Sequence, residues 1–200
     1  MAIVGVSSSF IAKYNENDGT PNYTDGKKFA RMTSIDNTVT TNEEELFSDD
    51  CLEDADYSFS GGTLKVDVSD LEDGVVSDIT GATANEITVD GEKVSEIVYD
   101  DDRQETEFGF GFVVEKKNRG VFSYRAIVLP RIKFKLPDVK VTTRGKTLTF
   151  QTRSVEATVH RDHSEKHRWK REATFAKKES AVSYIKQILG MTETAQSQEE

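Results

Sequence analysis

The chain has 200 residues, of which 36% are hydrophobic and 31% charged, and its formal net charge is −10 at pH 7. This length suits one compact domain, and its single cysteine, Cys51, excludes an intramolecular disulfide. No apolar run approaches the roughly 20 residues of a membrane-spanning helix, and the first residues lack a secretory signal, so we expect folding in a cytosol.

The two signs of charge are separated along the chain. Residues 36–107 hold 23 acidic and three basic residues, a net charge of −20, whereas residues 108–190 hold 19 basic and seven acidic residues, a net charge of +12. This separation is compatible with two solvated surfaces of one monomer. It is equally compatible with an acidic surface of one copy that meets a basic surface of the next.

The N-terminal quarter predicts strands separated by turns. Loose alternation of apolar residues ends at residues 15–19, NENDG, and Asp-Gly pairs favour turns because glycine adopts positive φ at little cost. Residues 24–26, TDG, predict a second turn, and residues 27–40 then have the pattern of a strand. Residues 41–56 are acidic with few apolar side chains, so we expect a long loop or an extended hairpin there.

Residues 57–68 predict a strand whose buried face changes part-way. Tyr57 and Phe59 lie at odd positions, whereas the apolar residues from Leu64 to Val68 lie at even ones. Side chains alternate across a strand with period two, so a bulge is needed between the two sets. Gly61-Gly62 is the expected place for it.

A short helix is predicted after this strand. Ser69 is suited to cap it, with Glu72 three residues later as its capping-box partner. Apolar side chains at helical spacing run from Leu71 to Ile79, and Gly81 is suited to end the helix. Residues 84–106 are rich in acidic residues, and we interpret them as a second long loop.

The central part of the sequence alternates most regularly. Residues 108–112 alternate phenylalanine with glycine, residues 116–120 favour a turn, and residues 121–129 predict the partner strand. Pro130 cannot donate to a strand ladder, so it marks an edge or a bulge. In residues 132–136, apolar and basic residues continue the alternation.

Two more strands and a helix follow. A strand begins near residue 148, and its apolar positions change parity near residues 152–154, which predicts a bulge or bend. Residues 169–175 predict the next strand, with a polar hairpin connection between the two. Residues 177–189 predict an amphipathic helix, and Gly190 is suited to end it.

These patterns amount to about seven or eight strands and two helices, without strand–helix alternation and without an internal repeat. We therefore predict a mainly β (α+β) fold, an antiparallel β-sandwich or barrel with one short internal helix and a C-terminal flanking helix. Residues 1–190 are expected to form one domain with long loops at about 41–56 and 84–106, followed by a flexible tail at 191–200.

Candidate chemical sites are few. His160, His163 and His167 stand close together in sequence and are a weak candidate for a metal site, since imidazoles must converge on the ion. Their segment also has the pattern of a polar hairpin, which explains three surface histidines without a metal. Cys51 stands among acidic residues that oppose thiolate formation, and no serine has the sequence of a nucleophile elbow. We expect neither enzymatic activity nor a cofactor.

Residues 108–115, FGFGFVVE, partly match the aromatic strand of RNA-recognition domains. Phe108 stands where that motif has a cation, Glu115 stands where it has an aromatic residue, and the preceding acidic residues repel phosphate. Alternating aromatic residues in a strand are more often core residues. A nucleic-acid-binding β module that uses the Phe108–Phe112 strand is the alternative function.

Several segments carry a family resemblance. They are SFSGGTL (58–64), GFGFV (109–113), YRAIVLPRIKF (124–134), FQT (150–152) and WKREATF (169–175). Together with the opening KYNENDGTPNYTDGKK and the C-terminal helix, their order resembles that of the phage major tail proteins of the phi13 type. The resemblance covers most of the chain.

The resemblance implies a structural virion protein, a tail tube subunit with a β-sandwich or barrel core and a flanking helix. Such subunits assemble into hexameric rings that stack into the conduit for genome delivery. The implied partners are further copies of the chain and other tail proteins, such as the tape measure and terminator proteins, while DNA passes without specific binding. The implied location is the virion tail, assembled in the bacterial host cytoplasm.

A ring joins one surface of a subunit to a different surface of its neighbour, and regions of opposite charge suit such a contact. An acidic lumen would also avoid adhesion to DNA phosphates. We predict that part of the acidic residues faces the lumen or the ring-to-ring contact. The candidates are Glu43, Glu44, Glu45, Asp49, Asp50, Asp100, Asp101 and Asp102.

Overall fold

A computed structural model of the protein describes residues 2–138, 143 and 152–191. This part of the chain forms twelve strands and two helices. The strands are β1 (Ala2–Asn17), β2 (Thr20–Lys28), β3 (Met32–Thr41), β4 (Glu44–Ser48), β5 (Cys51–Asp56), β6 (Phe59–Val68), β7 (Thr83–Val89), β8 (Glu92–Val98), β9 (Glu107–Asn118), β10 (Val121–Phe134), β11 (Arg153–His160) and β12 (Arg171–Phe175). The helices are α1 (Asp73–Thr80) and α2 (Lys178–Ile188). The predicted mainly β fold with one internal and one C-terminal helix is confirmed.

Eight of these strands form one antiparallel sheet. Its path of paired strands runs β2-β1-β9-β10-β11-β6-β3, and β12 pairs with β10 beside this path. The other four strands form two separate hairpins, β4–β5 and β7–β8. These hairpins account for the strands beyond the predicted number.

Strand β10 has two successive partners on one edge. Tyr124–Val128 pairs with β12, whereas Arg131–Phe134 pairs with β11. The register against β9 shifts between Leu129 and Ile132, so Pro130 lies in a bulge, the second of the two predicted alternatives. The ladder therefore does not need the N–H that proline lacks.

The larger hydrophobic core lies on one face of the sheet. It includes the three phenylalanines of β9, and Phe108, Phe110 and Phe112 are only 1%, 0% and 3% exposed. Helix α1 adds its apolar side chains to this core, and Gly81 ends the helix with a φ of 70°, as predicted. The register of β6 shifts between Gly61 and Phe59, so the strand has the predicted bulge, but at Ser60, one residue before the predicted Gly61-Gly62.

Helix α2 packs on the opposite face of the sheet. Its residues Ala181 and Ile185, with Leu189 just after it, are fully buried against side chains of β1, β9 and β10. Gly190 follows with a φ of 62°, which agrees with the predicted helix end. The predicted amphipathic helix is thus confirmed, and the sheet is covered on both faces over this stretch.

The glycines between the phenylalanines of β9 face α2. A Cβ atom at Gly109 would lie 2.5 Å from the Tyr23 ring and 2.7 Å from Leu189 Cδ2. A Cβ atom at Gly111 would come even closer to Ile185 Cγ2. Real Cβ atoms do not approach other carbon atoms this closely, so the helix can lie this near the sheet only because both positions are glycine.

An ion pair also joins α2 to the sheet. Lys178 Nζ lies 2.9 Å from Glu115 Oε1, and the Ser7 hydroxyl donates to the same oxygen at 3.1 Å. The hydrogen bond from Lys178 is the main cause that lowers the pKa of Glu115, with Ser7 helping and burial opposing. A carboxyl whose pKa is depressed by folding stabilises the fold above its unfolded pKa of about 4.3 and loses this contribution as pH falls through the folded pKa.

We expect Glu115→Gln to lower the free energy of unfolding at pH 7 by about 0.5–1 kcal/mol, the upper range for a solvent-screened pair. The penalty should shrink as pH falls below about 4, where the wild-type carboxyl also becomes neutral. Urea unfolding at pH 7 and at pH 3 measures both values. Glu156→Gln is the control, because its pair with Lys135 is longer, at 3.3 Å, and more exposed. An equal penalty at both pH values would show that the Glu115 charge is not what stabilises the helix.

Strand directions place the hairpins at two ends of the sheet. Strands β6 and β10 both run antiparallel to β11, so both start towards the same end, with the start of β6 level with about Leu129 of β10, and β1, antiparallel to β9, starts towards that end too. The β4–β5 hairpin leads into β6 and the β9–β10 turn leads into β10, so both lie at this end. Helix α1 follows the other end of β6, and residues 99–106 lead into the start of β9. The β7–β8 hairpin between them therefore lies at the opposite end.

Both segments predicted as long loops contain hairpins. Residues 41–56 contain an extended hairpin, the second of the two predicted alternatives, with Asp49 and Asp50 at φ of 50° and 60° in its turn. In residues 84–106 the loop prediction is wrong for the part in β7 and β8, whose turn is Asp90-Gly91 with φ of 51° and 86°. Two consecutive positive φ values are typical of the tight turns that join antiparallel strands.

The predicted cap of α1 is wrong. The helix begins at Asp73, with Glu72 at the N-cap and no side-chain capping bond. Ser69 instead lies beside Arg31, whose carbonyl accepts a hydrogen bond from the Ser69 N–H at 3.0 Å. The residue after β6 is thus hydrogen-bonded to the segment before β3, and the helix begins about one turn later than predicted.

The predicted turn at residues 24–26 is a bulge. The pairing of β2 with β1 steps from Lys27 opposite Ile11 to Thr24 opposite Lys13, so β2 has one residue more than β1 over this step. The strand predicted for residues 27–40 is also divided, because β2 ends at Lys28 and β3 begins at Met32. The strand start predicted near residue 148 and the flexible tail, apart from Met191, lie outside the described residues.

Candidate assembly surface

The β4–β5 hairpin and its flanks, residues 43–57, are called the acidic arm. It holds eight carboxylates and no basic residue. All eight are exposed, and none forms an ion pair with a described residue. They include the predicted candidates Glu43, Glu44, Glu45, Asp49 and Asp50, so the structure brings these five together on one projecting element.

The acidic arm also exposes large apolar side chains. Leu46 is 58% exposed, Phe47 60%, Leu52 52% and Tyr57 59%. Phe47 is the cross-strand partner of Leu52, and such partners share a face of the hairpin. The eight-stranded sheet with its two helices is called the body. Neither strand of the arm contributes to a hydrophobic cluster of the body. The arm therefore lacks a packing partner within the subunit. A two-stranded hairpin with both faces in water is only marginally stable alone.

A second exposed apolar patch carries the opposite charge. The β9–β10 turn with its flanks (residues 116–122) and the start of β1 (residues 2–4) are called the basic tip. Ile3 is 73% exposed, Val4 55%, Val121 71% and Phe122 43%. Lys117 and Arg119 are exposed, and Lys117 Nζ lies 5.1 Å from the centre of the Phe122 ring. Neither of these two cations pairs with a described carboxylate.

The remaining predicted candidates lie elsewhere. Asp100, Asp101 and Asp102 are exposed in the segment between β8 and β9, at the end of the sheet opposite the acidic arm. A cleft of about 310 Å³ lies near them, lined partly by Arg103, Glu105, Lys133 and Lys135. The structure therefore separates the acidic candidates into two groups at opposite ends.

The three histidines contact different partners. The His160 ring nitrogen lies 2.9 Å from Thr158 Oγ1, and His167 Nδ1 lies 3.3 Å from the Asp162 carbonyl. His163 is held between Glu16 and Arg131, whose Nη1 is 2.8 Å from His163 Nε2. In the part of the chain that the structure describes, no group of three or more His, Cys, Asp or Glu side chains is arranged to hold a metal ion.

The histidine segment is not the predicted hairpin connection. Strands β11 and β12 do not pair with each other, because each pairs with a different part of β10. Asp162 organises the crossing between them and is 3% exposed. Its Oδ1 accepts hydrogen bonds from Ser164 N at 3.2 Å, Ser164 Oγ at 2.6 Å and Arg168 N at 2.7 Å.

We expect Asp162→Ala to lower the free energy of unfolding by about 3 kcal/mol, because it leaves buried donors without an acceptor. Asp162→Asn keeps an oxygen in the same place and should lower it by about 1 kcal/mol or less. Urea unfolding of both variants provides the measurement. Equal losses for the two substitutions would show that the carboxylate charge, rather than its accepting oxygen, holds the segment.

Arg131 anchors the start of this segment to the sheet. It makes a bidentate pair with Glu107, at 2.6 and 2.8 Å, and Nη1 donates to the Arg161 carbonyl at 3.2 Å. The hydrogen bond with Glu107 raises the pKa of Arg131. A bidentate pair fixes the orientation of the arginine side chain. Arg131, with Glu16 and His163, therefore holds the segment between β11 and β12 in place.

The aromatic strand lacks the surface that the nucleic-acid alternative requires. All three of its phenylalanine rings point into the core, whereas base stacking needs an exposed ring face. Thr158 and His160 are a hydroxyl and an imidazole within hydrogen-bonding distance, but the same hydroxyl also donates to the Lys133 carbonyl at 3.3 Å. Within the described residues, no carboxylate hydrogen-bonds to the His160 ring to complete a catalytic arrangement.

A comparison with protein-family models found no match, and a search of curated proteins found no matching relative. In the described part of the chain, neither helix has the length and apolar character needed to cross a membrane.

The acidic arm and the basic tip are the two surfaces with the chemistry of a protein contact. Contiguous exposed apolar side chains bordered by charge are typical of interaction sites. Sequence reasoning found the carboxylates of the arm but did not find the tip. The sequence does contain a sign of the basic tip, since Val121-Phe122 follows the Gly120 turn directly and places two apolar side chains at a hairpin end.

Proposed function

We propose that this protein is a non-enzymatic structural subunit that assembles with copies of itself, as the major tail tube protein of a phage. The observation that carries the proposal is the acidic arm. It projects from a well-packed body, exposes four large apolar side chains and presents eight carboxylates without ion-pair partners among the described residues. These features are costly in a free monomer and favourable when another molecule covers them.

The body suits the same function. An antiparallel sheet covered by a helix on each face is rigid, and a tube wall needs rigid subunits that keep their shape under repeated contacts. The tail tube fold implied by the resemblance has the same class of architecture. We infer that hexameric rings of this subunit stack into a conduit, with other tail proteins such as the tape measure and terminator proteins at or within its ends. The expected location is the virion tail, after assembly in the host cytoplasm.

The acidic residues outside the arm have a separate role in this proposal. Asp100, Asp101 and Asp102 form a compact run of charge. A conduit must let DNA pass without retaining it, and a carboxylate surface repels phosphate. We assign Asp100–Asp102 to the lumen or to the contact between stacked rings.

Electron microscopy of the purified protein tests the proposal. Negative-stain images across a range of concentration and salt should show rings or tubes of about 100 Å diameter, the size expected for a closed ring of subunits of this mass. Light scattering should show an oligomer that grows with concentration. A monodisperse monomer under all conditions would contradict the proposal, and a monomer with salt-sensitive RNA affinity would favour the nucleic-acid alternative.

A further inference from the structure

We propose that the acidic arm of one subunit docks on the basic tip of its neighbour within the same ring. This inference rests on the proposed function and assigns the two surfaces of its lateral contact. The binding partner of the arm is a second copy of this chain. The contact is heterologous, with an arm on a tip at every interface around the ring.

The two surfaces are complementary in both apolar character and charge. The described part of the chain has twelve large hydrophobic side chains that are exposed, and eight of them lie on these two surfaces. Four are on the arm and four on the tip. The arm has a net charge of −8, and the tip has the exposed cations Lys117 and Arg119, whereas its Lys116 is buried. Apolar contact supplies affinity, while opposite charge selects the partner and speeds its encounter.

Neither surface is covered within its own subunit. Phe47 of the arm is 60% exposed and Val121 of the tip 71% exposed, so the arm does not rest on the tip of the same chain. The bases of both elements are anchored in the sheet through β6 and β10. Each is therefore presented to a neighbour in a fixed direction from a common scaffold.

The location of the two surfaces selects a lateral contact. Both lie at the end of the sheet where β1, β6 and β10 start. Copies related by rotation about a ring axis keep corresponding ends at the same level, so the arm of one can reach the tip of the next. Copies stacked by translation would bring the arm to the opposite end, where the run Asp100–Asp102 repeats the charge of the arm. Like charges oppose that arrangement.

Disulfide trapping tests the contact, since the single cysteine already lies on the arm. Cys51 is exposed, and Val121→Cys places a second thiol on the tip. Mild oxidation of the assembled V121C protein should give a reducible ladder of covalent oligomers that ends at the ring size on a non-reducing gel. A heterologous ring links each copy to two neighbours, so the ladder extends beyond the dimer. A product that stops at the covalent dimer would show a two-fold contact and overturn the proposal.

The matched control places the thiol at the other end of the sheet. Val89 lies next to the turn of the β7–β8 hairpin and is 51% exposed, so Val89→Cys is similarly accessible. Oxidised V89C should give no ladder, and neither should wild-type protein or C51S/V121C, each of which has one cysteine. A ladder from V89C in place of V121C would show that the arm docks on the opposite end of a stacked neighbour.

A charge exchange gives an independent test. Changing Glu43, Glu44, Glu45, Glu53 and Asp54 to lysine takes the net charge of the arm from −8 to +2, and K117E/R119E reverses the tip. Neither variant should assemble alone, whereas an equimolar mixture should form alternating oligomers. If wild-type protein assembles and both variants assemble equally well alone, the arm–tip contact is wrong and the tube function stands. If wild-type protein never assembles, the proposed function itself fails.

Discussion

Removing the acidic arm should abolish assembly without unfolding the subunit. The arm joins the body at Asn42 and Ser58, where the Asn42 N–H donates to the Ser58 carbonyl at 2.8 Å and the Asn42 side chain donates to Ser58 Oγ at 3.0 Å. This pair is a ready closing point for a tight turn. Replacing residues 43–57 by Asn-Gly, the preferred sequence of a two-residue hairpin turn, would retain it.

The fold should tolerate this change because the arm supports nothing in the body. No arm residue belongs to either hydrophobic cluster, so its removal costs no core packing. Shortening the connection lowers the entropic cost of closing it by about 2 kcal/mol, which favours folding. We therefore expect a free energy of unfolding no lower than that of wild type and up to about 2 kcal/mol higher, measured by urea unfolding.

Assembly should respond in the opposite way. Sedimentation and electron microscopy should find the arm-deleted subunit monomeric at concentrations where wild-type protein forms rings or tubes. F47S/L52S retains every carboxylate and is the matched variant that removes only the apolar contact. E43K/E44K/E45K retains the apolar side chains and should weaken assembly mainly at low salt, where charge acts over the longest range. Rings formed by the arm-deleted subunit would exclude the arm from the assembly contact.

Hydrogen exchange gives a complementary view of the same element. The backbone hydrogen bonds of the arm belong to one exposed two-stranded ladder, so local opening should be easy in the monomer. In the assembly these amides should exchange more slowly, because docking must be lost before the ladder opens. Equal protection of arm amides in the two states would indicate that nothing covers the arm.

Local pattern predicted the parts of the fold that alternate regularly. The Phe108–Phe112 strand, its return strand and the C-terminal helix each combine a clear period with a turn or stop residue, and all are present. The β7–β8 hairpin was missed although Asp90-Gly91 is a strong turn signal, because the acidic residues around it outweighed the short apolar alternation. In the acidic arm the turn residues are two aspartates, and without a glycine there the sequence predicted a hairpin only as one of two alternatives.

Long-range pairing was beyond reach of the sequence. The Asp25-Gly26 pair has turn chemistry, yet β2 continues through it because β1 keeps pairing on both sides. The histidine segment looks like a hairpin because its ends are strands, yet both strands pair with β10. The candidate assembly surface also depends on long-range strand pairing, since only the strand directions show that the arm and the tip lie at one end of the sheet.

Gly111→Val should lower the free energy of unfolding by at least about 3 kcal/mol, the upper end of typical overpacking costs. Even the Cβ atom alone would enter the van der Waals radius of Ile185 Cγ2. Ile185 is fully buried, and Leu189 and Ala181 beside it are buried as well, so α2 cannot move without exposing its apolar face. Valine favours strands, so a loss of stability would come from packing rather than from propensity.

Gly5→Val is the control for this substitution. Gly5 lies in β1, the strand beside β9, and a Cβ atom there would have no neighbour within 4 Å. We expect a change within about 0.5 kcal/mol, as for most exposed or open positions. Urea unfolding monitored by far-ultraviolet circular dichroism compares the two variants, and a loss at Gly111 no larger than at Gly5 would show that the helix is not held against the strand.

A double-mutant cycle identifies the atom responsible. Ile185→Leu removes the methyl group on Cβ that a side chain at residue 111 would meet, while keeping the volume of the residue. Alone it should cost less than about 1.5 kcal/mol, as volume-conserving swaps in cores do. Combined with Gly111→Ala it should relieve the clash, so that the double variant is more stable than the sum of the single losses predicts. Strict additivity would mean that the strand backbone, and not Ile185, sets the requirement for glycine at this position.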